Sequence, residues 1–159
     1  MDAIHDRKGS LPAQEGNMRM KKALIITVII GLALFVLIQF VPINRNNPPT
    51  ISEPNWSSPE ARTLVLKNCG QCHSNKTEWP WYSYIAPASW LINFDVVRGR
   101  EEFNFSDWNN SPGYIGDLVE AINEGEMPPI QYTLFHPDAR LDTQGKQALI
   151  DALTSSLGQ

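Results

Sequence analysis

The chain has 159 residues, with 13 Lys and Arg against 17 Asp and Glu, 42% hydrophobic residues, 12 Pro and 2 Cys. That length holds one compact domain plus an appendage, and two cysteines exclude a disulfide-framed secreted scaffold. Charge is split unevenly: residues 1–22 carry +2 and residues 42–159 carry −6. An acidic domain cannot neutralise phosphates, which argues against a nucleic-acid partner.

Residues 1–22 show no apolar periodicity and end in the basic cluster Arg19, Lys21 and Lys22. Met18 and Met20 stand just before that cluster, and either gives a more typical start than Met1. From Ala23 to Val41 the chain runs for 19 residues without a charge. At about 1.5 Å per residue this helix spans roughly 28 Å, close to the hydrocarbon thickness of a bilayer. A buried core helix rarely stays apolar on every face for five turns, so a transmembrane anchor in contact with membrane lipid is the better reading. Its exit, Ile38-Gln39-Phe40-Val41-Pro42, lacks the small residues of a signal-peptide cleavage site. The basic cluster places residues 1–22 in the cytoplasm and everything after Val41 in the periplasm or outside, with the span in the inner membrane.

Residues 42–57 combine Pro42, Pro48, Pro49 and Pro54 with Asn44, Asn46, Asn47 and Asn55, which predicts an extended stalk without helix. Ser58-Pro59-Glu60 reads as N-cap, N1 proline and first-turn acid of a helix running towards Cys69. A second helix is expected from about Ala88 to Val97, with Leu91, Phe94 and Val97 on one apolar face and Gly99 as its stop. Ser111-Pro112 is expected to open a third, whose Ile115, Leu118, Val119 and Ile122 form a stripe that ends at Gly125. Asp142 suits the N-cap of a fourth, with Leu149, Ile150, Leu153 and Leu157 on one side. No run alternates with period two. Residues 58–159 are therefore expected to form a small all-α domain with long loops. Nine aromatic residues from Trp79 to Trp108 fall in segments of little regular pattern, and a flat prosthetic group would give them a centre to pack on.

Cys69-Gly70-Gln71-Cys72-His73 carries the chemistry. On a helical turn residues i and i+3 share a face, so both sulfurs can reach the two vinyl groups of one haem while His73 meets the iron. A thioredoxin-like dithiol needs a βαβ context that is not visible, and zinc needs ligands beyond His136. A disulfide between Cys69 and Cys72 would close too short a loop to stabilise much. Beyond the motif, residues 42–159 hold one methionine, Met127, and one histidine, His136. Met127 lies in Gly125-Glu126-Met127-Pro128-Pro129, where the glycine ends a helix and the prolines stiffen the chain that would hold a thioether at the iron. Met127 is thus the expected distal ligand, His136 its rival, and an open position the third choice. Arg98, Arg100 and Arg140 are candidates on charge alone for pairing the haem propionates.

The run from Cys69 to Trp90, with Trp79-Pro-Trp81-Tyr-Ser-Tyr84 inside it, resembles the bacterial haem-binding domain family. So do Arg98-Gly-Arg-Glu101, Phe105-Ser-Asp-Trp108, Gly125-Glu-Met127-Pro-Pro129 and Tyr132-Thr-Leu-Phe-His136-Pro-Asp-Ala-Arg140. The similarity covers roughly residues 46–153. It implies a small c-type cytochrome-like domain behind an N-terminal anchor, carrying one covalent haem c, and it also points to Met127. Three functions follow. The leading expectation is a monohaem cytochrome that passes single electrons to a redox partner protein, a carrier rather than a catalyst. The second is a haem enzyme or sensor whose distal position is open to peroxide or a gas, and the third a non-haem thiol protein. No Ser/His/Asp set, phosphate-cradling glycine loop or paired-carboxylate site is identifiable.

Overall fold

The computed structural model describes residues 12–158 and divides into two compact units, residues 1–42 and 43–159. The first unit contains one helix, α1 (Pro12–Ile38), whose stretch Gly16–Ile38 is long and apolar enough to cross a membrane. Its Leu, Ile, Val and Phe side chains are exposed around the whole circumference.

The second unit is helical, and no strand occurs among the described residues; a single parallel bridge pairs Ser52 with Asp107. Its helices are α2 (Pro59–Cys69), α3 (Ala88–Glu102), α4 (Ile115–Glu124), α5 (Ile130–Phe135) and α6 (Thr143–Leu157). The core forms where α6 packs on α2 and α4. Val65, Leu118, Ile122, Leu149, Leu153 and Leu157 are buried there together with Phe103 and Phe105. Each such side chain contributes about 1.5–3 kcal/mol of transfer free energy.

The caps expected for α2 and α6 are present. Ser58 Oγ accepts from the Ala61 N–H at 3.1 Å, and Asp142 Oδ1 accepts from the Gly145 N–H at 2.7 Å. Gly125 ends α4 with φ at 80°, a left-handed conformation that costs glycine little.

Four details differ from the sequence reading. Helix α3 runs through Gly99 to Glu102, because this glycine serves close packing instead of a stop: a Cβ there would lie 2.8 Å from the Cys72 carbonyl oxygen. Helix α4 begins at Ile115, since Ser111 Oγ is engaged with Asn104, accepting from its N–H at 2.9 Å, and caps no helix. The short α5 was not foreseen; six residues hold too few turns to show a period.

The proline-rich segment is extended as expected, but it is fastened to the domain rather than standing off as a stalk. Arg45 donates to the Ser83 carbonyl at 2.9 and 2.7 Å, Asn47 to the Thr77 carbonyl, and the Ile51 N–H to the Ser106 carbonyl. The compact unit therefore starts at residue 43.

Candidate haem site

Helix α2 delivers Cys69 on its last turn, and one further turn follows: the Cys69 carbonyl accepts from the Cys72 N–H at 3.2 Å and the His73 N–H at 2.9 Å. This sets the two sulfurs and the imidazole on consecutive steps of one spiral. The turn is clamped from outside. Ser74 Oγ donates to the Gly70 carbonyl, Thr77 Oγ1 to the Gln71 carbonyl, and Phe105 N–H to the His73 carbonyl at 2.8 Å. Arg100 donates to the carbonyls of Ser74 and Asn46, to Asn47 Oδ1 and to Thr77 Oγ1.

His73 is 7% exposed. Its Nδ1 lies 3.2 Å from the Phe103 carbonyl oxygen; a carbonyl only accepts, so Nδ1 carries the proton and Nε2 keeps its lone pair. Burial lowers the His73 pKa, opposed by the bonds to the Phe103 and Gly99 carbonyls. The ring is thus held neutral, with Nε2 free to accept. Both cysteines are free thiols. Burial pushes Cys69 up to about 12, with Cys72 adding to it, and pushes Cys72 up to about 11, with Asp95 adding to it. A redox dithiol needs a depressed thiol pKa, so the thioredoxin-like reading does not fit. A closed zinc site does not fit either: among the described residues no three His, Cys, Asp or Glu side chains are arranged to hold a metal ion.

Two cavities adjoin the motif. The first, about 260 Å³, is lined by Cys69, Cys72, His73 and Met127 together with Phe94, Leu118 and Ile122. The second, about 340 Å³, is lined by Trp79, Tyr82, Leu91, Ile92, Phe135 and His136. They share Gln71, Cys72, Asp95, Gln131 and Tyr132. The structure therefore brings four of the five expected site residues to one cavity and places His136 in the other. There His136 Nε2 is 2.9 Å from the Tyr82 hydroxyl, and its ring stacks on Tyr132 at 4.3 Å. Tyr132 is pushed up to about 12, chiefly by burial.

The face of α3 carrying Leu91, Phe94 and Val97, expected as one apolar face, is 46, 57 and 43% exposed. Leu91 and Phe94 line the cavities instead, while Ser89, Val96 and Gly99 form the buried side. Gly99 and the Phe103 carbonyl were missed as site elements. A glycine eleven residues after a helix start reads equally as a stop or as a close contact, and a carbonyl leaves no sequence signal.

The donor set suits a haem. Two neutral thiols stand one turn apart, a neutral imidazole and a thioether line the same apolar cavity, and flat aromatic walls continue beyond it. A helical haem-binding domain is the class of protein that this fold and site define. The family model described as a haem-binding domain matches residues 33–155, and the chain belongs to that family. A curated relative, cytochrome c peroxidase Ccp of Escherichia coli (strain K12), is 33% identical over 81 residues, which are 46% of this chain and 17% of that protein. The chain thus spans a small fraction of that relative's length. No solved structure matches.

Proposed function

We propose that the protein is a membrane-anchored monohaem c-type cytochrome that transfers single electrons in the periplasm. The observation that carries this is the placement of Met127 and His73 on one cavity, with His136 on another and already hydrogen-bonded to Tyr82. Cys69 and Cys72 would hold the porphyrin through thioethers, each S–H adding across one vinyl group. His73, whose Nδ1 is engaged by the Phe103 carbonyl, would offer Nε2 to the iron, and Met127 would offer its thioether from the loop that Gly125 starts. When bound, haem iron supplies a reversible one-electron couple, and His/Met ligation raises its potential above that of a bis-His site. The apolar walls from Phe94, Leu118 and Ile122 exclude water.

Replacing both Cys69 and Cys72 by Ala is expected to abolish haem staining of the polypeptide on a denaturing gel; haem that still travels with the chain defeats covalent attachment. In the ferric spectrum, Met127→Ala is expected to abolish the long-wavelength iron–thioether band, and His136→Ala to leave it. The similarity to cytochrome c peroxidase favours a second reading, a haem enzyme or sensor with an open distal position. A wild-type spectrum that is high-spin and shifts on adding peroxide or nitric oxide would select it. For the topology, an alkaline-phosphatase fusion after Gln159 is expected to be active, since the basic cluster holds the opposite end in the cytoplasm.

A further inference from the structure

Three buried side-chain atoms lack a hydrogen-bond partner among the described residues: Trp79 Nε1, Trp90 Nε1 and Asn93 Oδ1. An unpaired buried donor costs about 1–3 kcal/mol and calls for an explanation. Of the three residues, only Trp79 lines either cavity beside the haem motif.

Haem brings two carboxylates that need donors, and the arginines suggested by charge serve poorly. The Arg100 guanidinium is engaged with the Ser74 and Asn46 carbonyls, Asn47 and Thr77, and Arg140 donates to the Thr133 carbonyl. Neither lines a cavity. Arg98 lines the first cavity together with Cys69, Cys72, His73 and Met127, and is paired with Glu101 at 3.5 Å.

Vinyl groups and propionates leave opposite edges of the macrocycle. With the vinyl edge fixed at Cys69 and Cys72, the second cavity extends past Cys72 and Asp95, which accepts from Gln131, to the exposed Glu78 and to Trp79, Tyr82 and His136. We propose that a haem propionate is held in this second cavity by the indole N–H of Trp79, with the Tyr82–His136 pair beside it. The inference rests on the haem reading above.

The pair suits the task in either tautomer. If Tyr82 O–H donates to His136 Nε2, then His136 Nδ1–H remains to donate. If Nε2–H donates to Tyr82, the phenolic proton remains. One donor is always left for a carboxylate, and a charge-assisted bond of this kind is stronger than a neutral one.

The test is resonance Raman spectroscopy of the propionate-bending bands in ferrous full-length holoprotein. Trp79→Phe is expected to shift these bands while leaving haem content and the axial-ligand bands unchanged, and Arg98→Gln to leave them in place. Unmoved bands in Trp79→Phe, or movement in Arg98→Gln alone, overturn the proposal. Should Trp79→Phe fail to fold, transfer of wild type into D2O decides. Propionates bound to a buried indole respond only as that proton exchanges, and an immediate shift means contact with solvent alone. A failed pyridine-haemochrome assay instead removes the haem reading, so the two failures are distinguishable.

Discussion

The crossing of α2, α4 and α6 and the wall formed by α3 and α5 are both helical and both rich in apolar residues, yet they use those residues in opposite ways. In the crossing, Val65, Ile122, Leu149 and Leu153 are buried against one another. On the wall, Leu91 and Phe94 face cavities, and Ile130, Leu134 and Phe135 of α5 are exposed. Apolar periodicity reports that a face is wanted by something apolar. It does not say whether that partner is the chain itself or a prosthetic group.

The difference predicts a split in energetics. Leu153→Ala is expected to cost about 2–5 kcal/mol of unfolding free energy in holoprotein and in the haem-free Cys69→Ala/Cys72→Ala chain alike, because its contacts are all protein. Phe94→Ala is expected to cost less than about 1 kcal/mol without haem, being mostly exposed there, and clearly more with it. Denaturant titration of the four variants and their two parents in detergent checks this. Equal costs for Phe94→Ala in the two backgrounds would erase the distinction between core and wall.

The same distinction explains what was legible in the sequence. The caps at Ser58 and Asp142, the stripe ending in Leu157 and the αL glycine at Gly125 are local rules, and each acts within one turn of the residues that carry it. Cys69, Cys72 and His73 were readable for the same reason, since their spacing is their geometry. Met127 was singled out by census, by its glycine- and proline-bounded loop and by the family resemblance, and it lines the cavity that His73 lines. The fastening of residues 43–57, the role of Gly99 and the Tyr82–His136 pair join positions dozens of residues apart, where no local pattern reaches.

A smaller effect is expected at the seam between motif and wall. Gly99→Ala gains up to about 1 kcal/mol of helix propensity. It also sets a methyl 2.8 Å from the Cys72 carbonyl oxygen and 3.1 Å from Cys72 Cβ. Backbone cannot yield as a flexible side chain does, and overpacking costs about 1–3 kcal/mol. The expected result is net destabilisation, with a perturbed haem spectrum because the turn carrying Cys72 and His73 must move. A stabilised variant with an unchanged spectrum would mean that α3 approaches the motif less closely than this contact requires.

The smallest effect belongs to Glu53, which ties the extended segment to α2 and to the loop after the haem motif. It accepts from Arg62 of α2 at 2.9 Å and from Lys76, just beyond the haem motif, at 2.8 Å. The hydrogen bond from Arg62 is the largest cause that lowers its pKa from 4.5 to about 2, against the raising effect of burial. A carboxylate whose folded pKa lies below its unfolded one binds fewer protons in the native state. Its contribution is therefore complete above about pH 4.5 and is lost as the pH falls towards 2. Arg62 and Lys76 are 39 and 49% exposed, so solvent screening trims the contribution to about 1 kcal/mol. Glu53→Gln should lower stability by that amount at neutral pH and narrow the gap to wild type progressively below pH 4.5. Urea midpoints of the two proteins at pH 7, 4 and 3 check it. A gap that persists undiminished at pH 3 would mean that Glu53 acts through packing and not through its charge.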